Sequence, residues 1–366
     1  MSVEKLEKNL CTGCMACKNI CPVNAINIEK DEKGFLYPVV DEQICINCHI
    51  CDKICPILNY KKQEKKQCIY AAKNKSEVVR NSSSSGGIFY ELSELILGKN
   101  GFICGAIYDD DFVVVHDISN SKDMRNRMQS SKYVQSQMGY LYRKVEEKLN
   151  AKSEVLFTGT PCQVDAMYKY LNYKKIDLKG FYTCDIICHG VPSPGIYREY
   201  LDDLEKEYKS KIKNINFRFK ANSYTQNIRI EFENGKEYIS NYFEGDYLYN
   251  LFLKDYILRD SCYRCKYANM DRISDITIGD FWGIDKVDSN FDDKKGVSLV
   301  IINSLKGEYI FKQISNKFDL LLINNKDDCL QNNLKKPCDI PEEYENVWKE
   351  YFEKGYDGLK ELMKKK

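Results

Sequence analysis

The alternation of apolar and polar positions predicts helices and strands in turn along most of the chain. Apolar residues recur at helical spacing in residues 88–97, directly after a turn rich in serine and glycine. Residues 25–29 and 35–40 alternate on either side of a glycine-containing turn, which predicts a β-hairpin. Short apolar runs predict further strands at residues 68–72, 102–108, 112–116, 155–157, 181–187, 215–219, 227–232, 236–239, 297–303 and 320–323. This mixture predicts an α+β fold of mixed α/β character.

One cysteine pattern occurs twice near the N-terminus, displaced by 34 residues. The first copy is Cys11-x2-Cys14-x2-Cys17-x3-Cys21-Pro22, and the second is Cys45-x2-Cys48-x2-Cys51-x3-Cys55-Pro56. This spacing is typical of bacterial two-cluster ferredoxins, in which the fourth cysteine of each run ligates the other cluster. Zinc sites or disulfides are the alternatives, but neither explains the duplication.

We therefore predict two [4Fe-4S] clusters. The first cluster set is Cys11, Cys14, Cys17 and Cys55, and the second cluster set is Cys45, Cys48, Cys51 and Cys21.

The chain is long enough for about two domains. We predict a ferredoxin-type domain at residues 1–60, a polar linker at 61–67, a larger mixed α/β domain at 68–340 and C-terminal helices at 341–366.

Charge and hydropathy narrow the range of partners and locations. The formal net charge of +1 gives no electrostatic reason to expect a nucleic-acid partner. The N-terminal residues lack the apolar segment of a signal peptide, and no run approaches the ~18 apolar residues of a membrane span. Ferredoxin spacing among 17 cysteines favours a reducing environment over a disulfide scaffold. We expect a cytoplasmic protein without a membrane span.

Four cysteines of the larger domain lie in turn-like contexts and predict a third [4Fe-4S] site. This body set is Cys162, Cys188, Cys262 and Cys265. The pair Cys262-x2-Cys265 would suit a zinc knuckle equally well, and Cys184 is an alternative fourth ligand. The remaining cysteines, Cys68, Cys104, Cys329 and Cys338, are interpreted as free thiols.

Two helix starts could hold phosphate groups. The serine and glycine turn at residues 83–87 and the turn at residues 158–163 each open a predicted helix, and Lys132 adds a nearby cation. The alternative is ordinary helix capping, which uses the same residue types; Thr160 is the predicted N-cap before Pro161. Neither a GxGxxG motif after a strand nor a GxxxxGK[ST] motif occurs. His189 is the candidate catalytic residue because imidazole can transfer protons near neutral pH, with a structural hydrogen-bonding role as the alternative.

Six ordered motifs resemble the coenzyme F420 hydrogenase/dehydrogenase beta-subunit family. They are Ser83-Ser84-Ser85-Gly86-Gly87-Ile88-Phe89, Ser131-Lys132-Tyr133-Val134-Gln135-Ser136, Thr158-Gly159-Thr160-Pro161-Cys162-Gln163, Asp185-Ile186-Ile187-Cys188-His189-Gly190-Val191-Pro192-Ser193-Pro194, Cys262-x2-Cys265 and Asp275-Ile276-Thr277-Ile278-Gly279-Asp280-Phe281-Trp282-Gly283.

The resemblance implies an FAD-binding iron-sulfur domain that exchanges hydride with a deazaflavin or another small organic substrate. It makes the body set the candidate ligands of the body cluster. It also implies a group of candidate flavin-site residues: Ser84, Ser85, Gly86, Gly87, Lys132, Thr158, Gly159 and Thr160.

Three hypotheses follow from the sequence. The first is an iron-sulfur flavoprotein oxidoreductase that exchanges electrons with a ferredoxin-like or other redox protein partner. The second is a non-catalytic subunit that only relays electrons to a partner enzyme. The third is a zinc-bearing structural domain behind a ferredoxin. Flavin content, activity with an artificial electron donor, and zinc content distinguish them.

Overall fold

The computed structural model describes residues 3, 6–62, 66–220 and 227–364. Its strands are β1 Ile26–Lys30, β2 Leu36–Val40, β3 Cys68–Asn74, β4 Phe102–Tyr108, β5 Val114–Ser119, β6 Val155–Gly159, β7 Phe181–Ile186, β8 Ile212–Phe219, β9 Asn227–Phe232, β10 Glu237–Ser240, β11 Ile276–Asp280, β12 Ser298–Ile302 and β13 Phe318–Leu322. Its α-helices are α1 Ala16–Ile20, α2 Ile50–Ile54, α3 Glu77–Asn81, α4 Ile88–Gly98, α5 Lys122–Met128, α6 Leu141–Asn150, α7 Pro161–Tyr173, α8 Pro194–Tyr208, α9 Tyr247–Leu253, α10 Ile284–Val287, α11 Leu305–Ile314 and α12 Tyr344–Lys364. The predicted mixture of helices and strands is confirmed.

An eight-stranded sheet in the order β13-β3-β12-β11-β7-β6-β4-β5 forms the centre of the body. Strands β4, β6, β7 and β11 are parallel neighbours, whereas β5 and β12 pair antiparallel to β4 and β11. The carboxyl ends of the four parallel strands therefore meet at one edge. Loops at such an edge are the usual place for a ligand site in an open α/β sheet.

A smaller sheet in the order β10-β9-β8 packs with helices α8, α9 and α12. Its core includes Phe217, Ile230, Leu251 and Trp348, all buried. The predicted turn at Asn234-Gly235 joins β9 to β10, and Gly235 has the positive φ of +81° that such a turn requires.

The N-terminal segment folds around the predicted hairpin, with β1 antiparallel to β2. It shares an apolar core with the body, because Met15, Ile20 and Ile54 pack with Tyr142 and Met167. The proposed linker at 61–67 includes residues 63–65, which lie outside the described residues.

One predicted strand boundary needs correction, and one helix was not predicted. The second strand of the β4-β5 pair begins at Val114 rather than at residue 112, because Phe112 has a φ of +59° and still belongs to the turn. Helix α5 had no predicted counterpart; Ser121 caps it by accepting from the N–H groups of Asp123 and Met124.

The two predicted C-terminal helices correspond to α12, which is kinked at Gly355 with a φ of +63°. None of the helices in the described ranges combines the length and apolar character that a membrane-spanning helix requires.

Candidate metal centre and adjoining cavity

The two N-terminal cysteine loops have positive φ values at matching positions. Gly13 and Met15 have φ values of +66° and +60°, and Asn47 and His49, 34 positions later, have +52° and +57°. Asn and Gly tolerate this left-handed conformation better than other residues. In each loop the last of these residues caps a five-residue helix, α1 or α2.

The first cluster set comes together in the structure. Burial raises the pKa of the Cys17 thiol well above its ordinary value, and the neighbouring thiols of Cys14, Cys11 and Cys55 raise it further. Four thiols that interact in this way fit the predicted ligands of one cluster. Their ligation would require the metal to displace the thiol protons.

The second cluster set lies nearer the surface. Cys48 is exposed, and Cys21, Cys45 and Cys51 are half-buried. The Ala25 N–H donates to Cys21 Sγ at 3.2 Å. Backbone N–H groups directed at sulfur are among the interactions that set the potential of a cluster.

The body set also comes together, from three separate parts of the chain. Cys162 lies in the first turn of α7, Cys188 follows β7, and Cys262 and Cys265 lie in and after the 3-10 helix Asp260–Arg264. Burial raises the pKa of Cys162 to about 12, and Cys265 and Cys262 add to the rise. Burial likewise raises the pKa of Cys188, with Cys262, Cys162 and Cys265 next in effect.

The alternative ligand Cys184 is placed elsewhere. It is buried within β7, and the charged groups that add to the burial effect on its pKa are Asp185 and Asp275. Cys338, interpreted from the sequence as a free thiol, lies beside the body set. Its pKa is raised to about 12 by burial, by Asp255 and by Cys265. No CxxC spacing or other local signal marks Cys338 in the sequence.

The first cluster set adjoins the body set. Cys162 is among the thiols that raise the pKa of Cys14, after burial and Cys55. Cys17 and Cys55 share one apolar cluster with Cys162, Cys265 and Tyr267. The first set therefore lies beside the body set, and it also adjoins the second set, because Cys51 is among the thiols that raise the pKa of Cys17.

A cavity of about 420 Å3 lies at the carboxyl ends of β4, β6, β7 and β11, beside the body set. Volumes of roughly 300–1,000 Å3 are typical of small-molecule sites. The predicted site residues that line it are Ser84, Ser85, Gly87, Lys132, Thr158, Gly159, Thr160, Cys162, Cys188, His189, Cys262 and Cys265. The structure thus brings together residues that are far apart in the sequence.

Gly86 is the predicted cofactor residue that does not line this cavity. Its N–H donates to Ser298 Oγ at 2.9 Å, and a Cβ on Gly86 would lie 2.2 Å from the carbonyl oxygen of Ala72. The glycine permits close packing of the turn against β3 and β12, and its part in the flavin site stays a prediction.

Lys132 is buried beside the cavity among neutral acceptors. Its Nζ donates to the carbonyl oxygens of Met128, Gln129 and Ser130 at 3.4, 2.9 and 3.1 Å. Burial, with a smaller effect from Arg127, lowers its pKa to about 7. Within the described ranges, no carboxylate lies within 4.0 Å of this ammonium group. A bound anion is the natural partner for a cation in such a place.

Helix capping accounts for part of the second predicted anion turn. Thr160 is the N-cap of α7, Pro161 occupies its first turn, and the Thr160 N–H donates to Gln163 Oε1 at 2.9 Å in a capping box. The Thr160 hydroxyl lies 3.2 Å from Cys162 Sγ. The structural alternative is thus realised at Thr160.

His189 is held by side chains that the sequence did not connect to it. Its Nε2 lies 2.6 Å from Asp255 Oδ1 and 4.0 Å from Cys338 Sγ, and Asn333 Nδ2 lies 3.4 Å from its Nδ1. One ligand atom each of His189, Asp255 and Cys338 lie within 4.8 Å of one another. His189 lines the cavity, which fits both a structural and a proton-transferring role.

Several cavity-lining residues have buried polar atoms without a hydrogen-bond partner among the described residues. These atoms are Thr12 Oγ1, Ser85 Oγ, His116 Nδ1, Thr158 Oγ1, and Arg272 Nε and Nη2. Buried polar atoms in folded proteins usually have partners. Unpaired atoms around one cavity, together with Lys132, fit a polar, anionic cofactor such as FAD.

Comparisons with known proteins agree with the cysteine pattern. Residues 152–327 match the family model for the C terminus of the coenzyme F420 hydrogenase/dehydrogenase beta subunit, and residues 10–58 match the 4Fe-4S dicluster domain. Among solved structures, the chain is similar to one from the F420-reducing [NiFe] hydrogenase complex of Methanosarcina barkeri, at 15% identity and a TM-score of 0.48, covering 82% of this chain and 91% of that chain. No curated protein matches the chain. Residues 152–327 therefore belong to the coenzyme F420 hydrogenase/dehydrogenase beta-subunit family, behind a 4Fe-4S dicluster domain at residues 10–58.

Proposed function

We propose that the chain is an iron-sulfur flavoprotein oxidoreductase that passes electrons between a redox protein and a small organic substrate or deazaflavin-type coenzyme. The observation that carries this proposal is the contiguity of the three cysteine sets with the cavity. Cys14 of the first set interacts with Cys162, and Cys162 lines the cavity. Electron transfer between a redox protein and a bound substrate requires a chain of redox groups that runs from the surface to the ligand site.

The proposed contact with the redox protein is the second cluster set, at the outer end of this chain of redox groups. Cys48 of the second cluster set is exposed, and Ile46 in the same loop is 60% exposed. Exposed apolar side chains around a redox centre allow a partner to approach closely, and interfaces in electron transfer are small. The cavity, at the other end of the three sets, is the proposed site of FAD and substrate.

Lys132 and the serine turn are the proposed contacts of the FAD pyrophosphate. The Ser84 hydroxyl accepts from the Ser131 N–H at 2.9 Å, so the two motifs that the sequence singled out form one wall. Arg218, which the sequence did not indicate, supports this wall by donating to the Ser84 carbonyl oxygen at 3.0 Å and to Asp280 Oδ2 at 2.7 Å.

The clusters and the flavin would supply different parts of the chemistry. When bound, the clusters supply one-electron transfer and the flavin interconverts one-electron and two-electron steps. The protein's own part is to hold these groups, to exclude water and to keep a proton-transferring side chain at hand. His189 is the proposed proton-transferring side chain, with its ring held by the Asp255 carboxylate at 2.6 Å.

Flavin content and flavin reduction test the proposal. The protein is purified anaerobically, its bound flavin is measured, and dithionite-reduced ferredoxin or methyl viologen is added as a one-electron donor. We expect about one FAD per chain, as a single flavin converter requires, and its bleaching by the donor. Iron without flavin would overturn the enzyme proposal and leave the relay subunit. Zinc bound at the body set would support the third hypothesis, a zinc-bearing structural domain behind a ferredoxin.

A further inference from the structure

Arg259 is fully buried where the dicluster segment meets the body. Its Nε donates to the Cys11 carbonyl oxygen at 2.7 Å, its Nη1 to Gln135 Oε1 at 2.8 Å, and its Nη2 to the Leu36 carbonyl oxygen at 3.0 Å. All three acceptors are neutral. Within the described parts of the chain, no carboxylate lies within 4.0 Å of this guanidinium.

The guanidinium packs directly on the loop of the first cluster set. It lies 4.0 Å from the centre of the Tyr37 ring. A Cβ on Gly13, between Cys11 and Cys14, would lie 2.9 Å from Arg259 Nη1. The loop thus has room for this cation only because residue 13 is glycine.

The backbone of Arg259 is hydrogen-bonded to the body set. The Cys262 N–H donates to the Arg259 carbonyl oxygen at 2.8 Å. Arg259 also lines the cavity together with Cys262 and Cys265. Arg259 therefore lies between the first cluster set and the body set.

A buried guanidinium with only neutral partners is costly, because neutral acceptors replace its hydration only in part. Other buried arginines of this chain have carboxylates: Arg125 Nη1 lies 2.6 Å from Glu94, and Arg272 lies 3.8 Å from Asp185. At Arg259 the available anions are the cysteine thiolates on either side, once they ligate metal.

We propose that Arg259 is a positioning residue whose charge compensates the first cluster and the body cluster and raises the reduction potentials of both. This inference rests on the proposed clusters. Adding an electron to a cluster adds one negative charge, and a nearby cation in a water-poor environment stabilises that charge. Potentials raised at the inner pair favour electron flow from the exposed second cluster toward the cavity.

Redox titrations followed by electron paramagnetic resonance test this role. In Arg259→Gln, which keeps an amide donor but removes the charge, we expect lower midpoint potentials for the first and body clusters and an unchanged second cluster. Arg259→Lys keeps the charge and should hold the potentials near wild type, although the lost hydrogen bonds reduce stability. Arg125→Gln removes a buried guanidinium elsewhere and should lower stability without changing any potential.

A second variant tests the charge without removing the arginine. Gln135→Glu places a carboxylate at the acceptor position 2.8 Å from Arg259 Nη1 and should lower the same two potentials. Unchanged potentials in Gln135→Glu, or equal shifts in Arg259→Lys and Arg259→Gln, would overturn the role. The iron count separates this result from the proposed function, because the first cluster still reports on Arg259 in a protein that lacks the body cluster.

Discussion

The hydroxyl of Tyr142 donates to the carbonyl oxygen of Cys14 at 2.7 Å. Tyr142 is fully buried on α6 of the body, and Cys14 is the second ligand of the first predicted cluster. One hydrogen bond therefore ties the cluster loop to the body across 128 residues of sequence. It helps to keep Cys14 beside Cys162, which the proposed electron path requires.

Tyr142→Phe removes that hydroxyl and leaves the buried Cys14 carbonyl without its donor. We expect a loss of about 1–3 kcal/mol in the free energy of unfolding, the usual cost of an unsatisfied buried acceptor. Urea unfolding of the anaerobic protein measures it. Tyr140→Phe, at a residue that is 53% exposed two positions earlier, is the control and should change stability by less than about 0.5 kcal/mol. Equal effects of the two substitutions on stability would contradict a specific stabilising role for the hydrogen bond between Tyr142 and Cys14.

Gly13→Ala should destabilise the junction more than an ordinary glycine change. Gly13 has a φ of +66°, and an added Cβ would lie 2.5 Å from Gln135 Nε2 and 2.9 Å from Arg259 Nη1. The backbone strain costs about 1–2 kcal/mol and the steric overlap about 1–3 kcal/mol. Gly139→Ala is the matched control, because Gly139 has a φ of +47° and open space around it. Thermal unfolding of both variants measures the loss of stability. Equal losses would contradict a contribution from the close packing around Gly13.

Flavin binding should weaken as pH rises above about 7. Burial lowers the pKa of Lys132 to about 7 in the protein, far below that of a lysine in the unfolded chain. The unfolded chain thus binds the extra proton between these two pKa values, so this lysine makes stability rise with pH across that window. An anionic cofactor needs the charged form, so its affinity falls over the same window.

The pH dependence of FAD affinity, measured by fluorescence titration of the flavin-depleted protein, checks this prediction. Lys132→Met should weaken binding and flatten the pH profile, and Lys132→Glu should weaken binding further by repelling the pyrophosphate. Lys152→Glu, at a side chain that is 76% exposed, is the control and should leave both unchanged. An unaltered profile in Lys132→Met would exclude Lys132 as the phosphate contact.

Local patterns in the sequence predicted the local features of this site. The duplicated cysteine run corresponds to two loops with matching positive φ values, and Thr160-Pro161 predicted the N-cap of α7. These features depend on residues a few positions apart. Gly86 shows the limit even there: the turn was recognised, but its packing against Ala72 and Ser298 depends on strands that the sequence does not align.

The remaining parts of the site arise from contacts across long stretches of chain. Arg259 and Cys11 are 248 positions apart, and His189 and Cys338 are 149 apart. No spacing rule links such pairs, so Cys338 was interpreted from the sequence as a free thiol and Arg259 was not singled out. The body set was grouped from turn-like contexts and the Cys262-x2-Cys265 pair, and the family resemblance implied the same four residues.

The iron content of three proteins tests whether a third cluster lies between the dicluster domain and the cavity. The wild-type protein, purified anaerobically, should hold about twelve irons per chain, and Cys262→Ser/Cys265→Ser should hold about eight. Cys68→Ser, at an exposed cysteine outside the three sets, should keep about twelve. About eight irons in the wild type, or equal iron in the wild type and the double variant, would contradict the third cluster.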